Sequence, residues 1–235
     1  MTDYFLPDDY VCNPPLKEHD GPYWTPRRIK SSSYFQYHVY QWARRLADEH
    51  RLHRIADIGC GPGTKLMNMF GTEFDVHGFD QPEAIEICRS RYDRGEFEVL
   101  DLDDVMACEE KVDIFDLVIC ADVIEHLEYP ERLLEHIRRM SGRHTQILLS
   151  TPDRIRLNGT DVRSPNNKAH VREWTRDELQ LFLQARGFSV VEAKFFPLMK
   201  RTLSVHACLE WWDVLLGKSS KSPCMMILCH ADAVT

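Results

Sequence analysis

Apolar positions recur along the chain in two periods, and the change from one to the other marks out the elements. Phe35, Val39, Trp42, Ala43 and Leu46 return every three or four residues, which predicts a helix over 33–49 with one buried stripe. Residues 54–58 then form a short strand-like run that ends in a turn crowded by Gly59, Gly61 and Gly63. Pro62 suits the first turn of a helix, where no amide is needed, and 66–70 continue that helix. The order repeats: a strand at 74–80 before a helix at 82–91, then a strand at 97–100. Residues 115–121, Phe-Asp-Leu-Val-Ile-Cys-Ala, are the most continuous apolar run and predict a central strand buried on both faces. A helix at 130–140, a strand at 147–150, a helix at 177–185 stopped by Gly187, and strands at 188–196 and 225–229 complete the series. Residues 209–222 are expected to be helix and connector.

Two segments break the rhythm. Residues 1–33 are rich in Pro, Asp, Tyr and Ser, with Pro14-Pro15 and Gly21-Pro22 interrupting any period, and read as a strap or lid. Disorder is the alternative, although Tyr23 and Trp24 are unlike the composition of disordered segments. Residues 151–173 form a loop of a length that, inside a domain, serves a function or is disordered.

Strand, glycine turn and helix together place a ligand crevice at the carboxyl ends of an open parallel sheet. The glycines let the backbone touch that ligand closely. Charge then separates the candidates. Asp57, near the strand's end, repels a pyrophosphate and attracts a cation. Thr64 stands where a dinucleotide fingerprint has its third glycine, and Thr64-Lys65-Leu66 does not complete a P-loop. S-adenosylmethionine carries a sulfonium, an ammonium, a carboxylate and no phosphate, so it suits an acidic residue beside such a turn. At these residues the chain resembles the class I S-adenosylmethionine-dependent methyltransferases, whose first motif is an acidic residue followed by G-x-G-x-G. A second match is Phe115-Asp-Leu-Val through Asp122-Val-Ile-Glu125-His126-Leu. A third is Asn167-Lys-Ala-His170-Val-Arg-Glu-Trp, which is similar to a loop of bacterial small-molecule and sugar methyltransferases of the type 11/23 kind.

The resemblance implies an α/β fold: a Rossmann-like open sheet of seven strands with flanking helices and the last strand antiparallel. Residues 34–235 would be the methyltransferase domain, preceded by the strap 1–33 and capped by the loop 151–173. It implies S-adenosylmethionine as cofactor and S-adenosylhomocysteine as product. The implied cofactor contacts are Asp57, Gly59, Cys60, Gly61, Gly63, Asp80, Gln81, Asp101, Leu102, Ala121 and Asp122. Asp80 is the expected ribose ligand, since an acid at the end of a second strand can accept from both hydroxyls; a helix cap ahead of Pro82 is its competing role. Asp101 and Leu102 are placed at the adenine, within an acidic turn that runs on to Asp103 and Asp104. Tyr34, Tyr37 and His38 face either the ligand or the surface.

Methyl transfer to a hydroxyl or amine also requires a group to take a proton, and histidine suits that task. His170 and His126 are the candidate bases, with Asp122 and Glu125 as orienting carboxylates and Arg172 with Glu173 as a clamp. Hard cations favour several carboxylates, so no metal is expected; an Asp-His magnesium site of the kind some sugar methyltransferases use is the outlying alternative.

Composition narrows the partners. The 235 residues are 43% hydrophobic, enough for one full core. Against 37 Asp and Glu stand 29 Lys and Arg, a formal charge of −8 that disfavours a phosphate backbone as partner. Local basic groups exist at Arg27, Arg28 and Lys30, and at Lys218 and Lys221. The eight cysteines show no C-x-x-C pair, and the start is acidic without a secretory pattern, so reduced thiols and a cytoplasmic location are expected. No apolar run reaches membrane-spanning length. The expected acceptor is a small molecule, foremost a hydroxyl of a sugar or secondary metabolite, handled by a monomer or homodimer. RNA or protein methylation, a non-catalytic adenosyl-ligand-binding module, and a nicotinamide enzyme are the alternatives.

Overall fold

The computed structural model describes residues 3–15, 22–102, 114–200 and 222–232. The expected helix and connector at 209–222, the basic pair Lys218 and Lys221, and Asp103 and Asp104 lie outside these residues, Ser222 excepted. Seven strands make one sheet: β1 (Arg54–Ile58), β2 (Asp75–Asp80), β3 (Glu96–Val99), β4 (Phe115–Ala121), β5 (Ser141–Pro152), β6 (Phe188–Phe196) and β7 (Cys224–Ala231). Their spatial order is β3-β2-β1-β4-β5-β7-β6. The first five pair in parallel, and β7 runs antiparallel between β5 and β6.

Among the described residues seven α-helices flank it: α1 (Pro26–Ser32), α2 (Tyr37–His50), α3 (Thr64–Phe70), α4 (Pro82–Arg91), α5 (Pro130–Arg139), α6 (Arg154–Asn158) and α7 (Arg176–Gln184). Alternation along the strands sorts them into two layers. Leu117 and Ile119 of β4 pack with Val39, Trp42 and Ala43 of α2, Leu66 of α3 and Ile85 of α4. Val118 and Cys120 pack with Leu133 and Ile137 of α5 and Phe182 of α7. In β1, Ile55 belongs to the α2 layer and Ala56 and Ile58 to the α5 layer, so Asp57 points at α2. Strand order reverses between β1 and β4, which puts the crevice beyond their carboxyl ends.

Three departures from expectation have local causes. The helix begins at Tyr37 rather than Ser33, because 34–36 pair instead with 198–200: Gln36 N–H donates to Leu198 at 2.8 Å and Lys200 N–H to Tyr34 at 2.8 Å. Gln36 takes a left-handed conformation (φ 56°) to enter the helix, and Phe35 is exposed rather than part of the stripe. The strap holds α1, capped by the Thr25 hydroxyl with Pro26 in its first turn. The loop is shorter than 151–173, since β5 runs through Pro152 and α6 follows, capped by Asp153.

Candidate active site

The site is built on β1, β2 and β4. Asp57 is fully buried; its Oδ2 accepts from the Tyr40 hydroxyl at 2.8 Å and its Oδ1 has no partner. Burial pushes the Asp57 carboxyl up to about 7, opposed by the Tyr40 hydrogen bond and the Lys65 charge. After β1 the chain turns through Gly59, Cys60, Gly61 and Gly63. Gly59 has φ 79°, and a Cβ there would lie 2.2 Å from Val123 Cγ2, so only glycine lets the turn close against the end of β4. Gly61 lies under the strap: a Cβ on it would lie 2.9 Å from the Trp24 ring. The Tyr23 and Trp24 amides donate to the Glu83 carboxylate at 3.2 and 3.1 Å, which fixes that crossing.

Asp80, at the end of β2, accepts from Gly61 N–H and Gln81 N–H, both at 2.7 Å. It therefore holds the glycine turn. Gln81, exposed, caps α4 without a side-chain bond, which leaves Asp80 no capping role. Leu100 N–H donates to the Asp80 carbonyl at 3.0 Å, keeping exposed Asp101 and half-buried Leu102 beside the same edge.

Ala121 ends β4, and Asp122 follows with φ 57°, a strained conformation for an aspartate. Its Oδ2 accepts from Gln36 Nε2, while Gln36 Oε1 accepts from Ser150 Oγ at 3.4 Å and Cys224 Sγ at 3.0 Å. Asp122 Oδ1 has no partner. A 3-10 helix, Ile124–His126, then presents Glu125 and His126. Glu125 is fully buried with neither carboxylate oxygen in hydrogen-bonding geometry, although the Thr151 hydroxyl lies near enough to favour its ionised form. Burial pushes both acids up, and the Glu125 charge adds to the effect on Asp122.

The loop brings His170 against His126, ring centroids 4.9 Å apart and nearly perpendicular. His170 is buried beneath this contact. Its Nδ1 lies 2.6 Å from Glu173 Oε1 and its Nε2 2.9 Å from Asn167 Nδ2. Burial alone would lower His170; the Glu173 bond and the Glu125 and Glu173 charges outweigh it and leave the imidazole raised. His126 is lowered by burial, with Nδ1 2.8 Å from the Ala169 carbonyl. Arg172 and Glu173 are not a substrate clamp. Arg172 donates to the Leu127 and Glu128 carbonyls, and Glu173 binds His170 and Asn158. Val171 N–H donates to the Glu125 carbonyl at 2.7 Å, and Tyr10 of the strap accepts from Glu173 N–H at 2.9 Å.

Gln36 and Tyr40 were missed from sequence. They stand four residues apart, in line with the buried stripe of α2; a polar side chain on an apolar face was the available signal.

The donor set fits a cationic, hydroxyl-bearing ligand better than a phosphate. Three carboxylates line neighbouring strand ends, two with an unpartnered buried oxygen, beside a turn in which a Cβ has no room. The profile of a family described as a methyltransferase domain matches residues 33–193, more than half of the chain. The chain belongs to that family and is an S-adenosylmethionine-dependent methyltransferase. Solved structures share its fold. A Haloferax volcanii methyltransferase in complex with the Trm112 methyltransferase activator is 16% identical, with TM-score 0.66 over 89% of this chain and 94% of that one. The plantazolicin methyltransferase BpumL, bound to a pentazolic desmethylPZN analogue and SAH, is 16% identical, with TM-score 0.59 over 88% and 92%. Magnesium protoporphyrin IX methyltransferase of Synechocystis PCC 6803, with bound SAM, is 14% identical, with TM-score 0.54 over 91% and 87%. No curated protein matches the chain by sequence. Among the described residues no helix is long and apolar enough to cross a membrane.

Proposed function

We propose that the enzyme methylates a hydroxyl oxygen of a small acceptor, foremost a sugar or a sugar-bearing metabolite. The observation that carries this reading is the floor at the end of β4, where Asp122, Glu125, His126 and His170 gather under a docked loop. Such a floor of carboxylates and imidazoles suits a neutral, polyhydroxylated ligand. With the formal charge of −8 it repels a nucleic-acid backbone.

When bound, S-adenosylmethionine supplies a methyl group on a positively charged sulfur, open to in-line displacement. In this reading Asp57 and the turn at Gly59–Gly63 hold the charged end, Asp80 the ribose, and Asp101 with Leu102 the adenine. Ala121 and Asp122 close the crevice beneath, with Cys60 and Gln81 at its rim. Asp80 would exchange its Gly61 and Gln81 bonds, in part, for ribose hydroxyls. Glu125, His126 and His170 face the acceptor and stabilise its oxygen as the proton leaves.

Calorimetric titration with S-adenosylhomocysteine, then with sugar nucleotides and phenols in its presence, tests the reading. Micromolar adenosyl binding followed by saturable binding of hydroxylated acceptors is expected. Acceptor binding confined to RNA or peptides would contradict it.

A further inference from the structure

Two carboxylates buried side by side with unpartnered oxygens are costly unless a proton neutralises one or a cation joins them, and the two imidazoles beside them favour the cation. Around Glu125 three ligand-type atoms, one each from Glu125, His126 and His170, all lie within 4.8 Å of one another. His126 Nε2 is 4.0 Å from Glu125 Oε1. Atoms bound at about 2.1 Å to one ion stand about 3–4 Å apart, so a small contraction closes the set.

The hydrogen bonds set the tautomer of both imidazoles and leave each an Nε2 lone pair. A carbonyl only accepts, so His126 carries its proton on Nδ1 toward Ala169, and the Nε2 lone pair is left facing Glu125. His170 likewise carries its proton on Nδ1 toward the Glu173 carboxylate. Its Nε2 accepts from Asn167 Nδ2, whose own Oδ1 accepts from Ala169 N–H at 3.0 Å. An ion would take the lone pair now given to that amide. A ligating histidine whose other N–H is held by a carbonyl or carboxylate is the usual support of a metal centre. Here both histidines have that support, and Glu173 is itself pinned by Asn158 at 2.8 Å.

We infer that Glu125, His126 and His170 bind one divalent cation of mixed nitrogen and oxygen preference, of the manganese(II) or iron(II) kind, with Asp122 as a neighbouring counter-charge. This proposal departs from the expectation of a metal-free site. This rests on the methyltransferase reading and deepens it. Three protein ligands leave open positions, which two adjacent hydroxyls of an acceptor can occupy. A hydroxyl so bound loses its proton to solvent more readily; its oxygen then forms the bond to the methyl carbon as the carbon–sulfur bond breaks. The acceptors favoured are therefore vicinal diols and catechols.

The test uses the whole protein, stripped with chelator and titrated with Mn2+ alone, read by calorimetry and by loss of the free-ion paramagnetic resonance signal. One ion per chain is expected, with affinity lowered about tenfold or more in Glu125→Gln and in His126→Ala. His126 is half exposed, so its variant folds even if the other does not. Glu98→Gln, in the second acidic group with His77 and Glu96, should leave affinity unchanged. No Mn2+ binding, or equal binding in both site variants, overturns the inference. S-adenosylhomocysteine is titrated into the same samples. Adenosyl binding without Mn2+ binding removes the cation site alone, whereas Mn2+ binding without adenosyl binding keeps the site and removes the cofactor reading.

Discussion

The Tyr40 hydroxyl donates to Asp57 Oδ2 at 2.8 Å inside the α2 layer, where neither group reaches water. This bond ties the helix that covers the crevice to the acid that opens the glycine turn. It favours the ionised carboxylate against the burial that opposes it. Tyr40→Phe should push the Asp57 carboxyl higher still and weaken S-adenosylmethionine binding about tenfold or more, since bonds to charged groups contribute about 1.5–3 kcal/mol. Calorimetry checks this; unchanged affinity would show that Asp57 binds ligand without the tyrosine.

Asp57 also sets a pH dependence. Its carboxyl titrates at about 7 in the folded chain against an ordinary 3.8. Between those values the folded state holds a proton that the unfolded chain has released, so this group makes stability fall as pH rises, up to about 7. Asp57→Asn should reduce that slope, leaving the part due to Asp122 and Glu125, which burial also raises. Binding of a cationic cofactor favours the ionised form, so affinity should rise with pH toward about 7 with expulsion of a proton, and more steeply in the wild type than in Asp57→Asn, where Asp122 still contributes.

His126→Ala and His170→Ala should separate binding from turnover. Neither side chain belongs to the glycine turn, so adenosyl affinity should stay within about twofold. Turnover should fall about a hundredfold or more, the scale on which groups handling an acceptor's proton act. Normal turnover in both variants would show that neither imidazole acts on the acceptor, as cation ligand or as base.

Gly59→Ala meets two penalties, a left-handed backbone worth about 1–2 kcal/mol and a Cβ 2.2 Å from Val123 Cγ2. Chemical denaturation should register both. Adding Val123→Ala should recover the steric part and leave the backbone part, a coupling a double-mutant cycle reads directly. Equal losses with and without the second change would mean that the turn relaxes away from β4.

What could be read from the sequence followed the range of the forces involved. The glycine turn and β4 were legible because spacing and unbroken hydrophobicity are local signals, and the sheet follows from them. The start of α2 was not, because the pairing of 34–36 with 198–200 decides it across the whole chain. α1 and α6 are too short for a period to show, and neither was expected; their caps, Thr25 and Asp153, are seen only in the structure. At the site, the motif residues were legible as a set but their division of labour was not. Arg172 and Glu173 have the chemistry of a clamp, and only the fold shows them bound to carbonyls and to His170. Glu125, read as an orienting group, lies at the centre of the cluster with both oxygens unpartnered.

Methyl transfer itself is the most direct test. The enzyme would be incubated with S-adenosylmethionine labelled in its methyl group and a panel of sugars, sugar nucleotides and catechols, beside RNA and protein acceptors. The account predicts label on the oxygen of a hydroxylated small molecule, with S-adenosylhomocysteine formed in equal amount. Label found in the RNA or protein fraction, with none on the small acceptors, would contradict it.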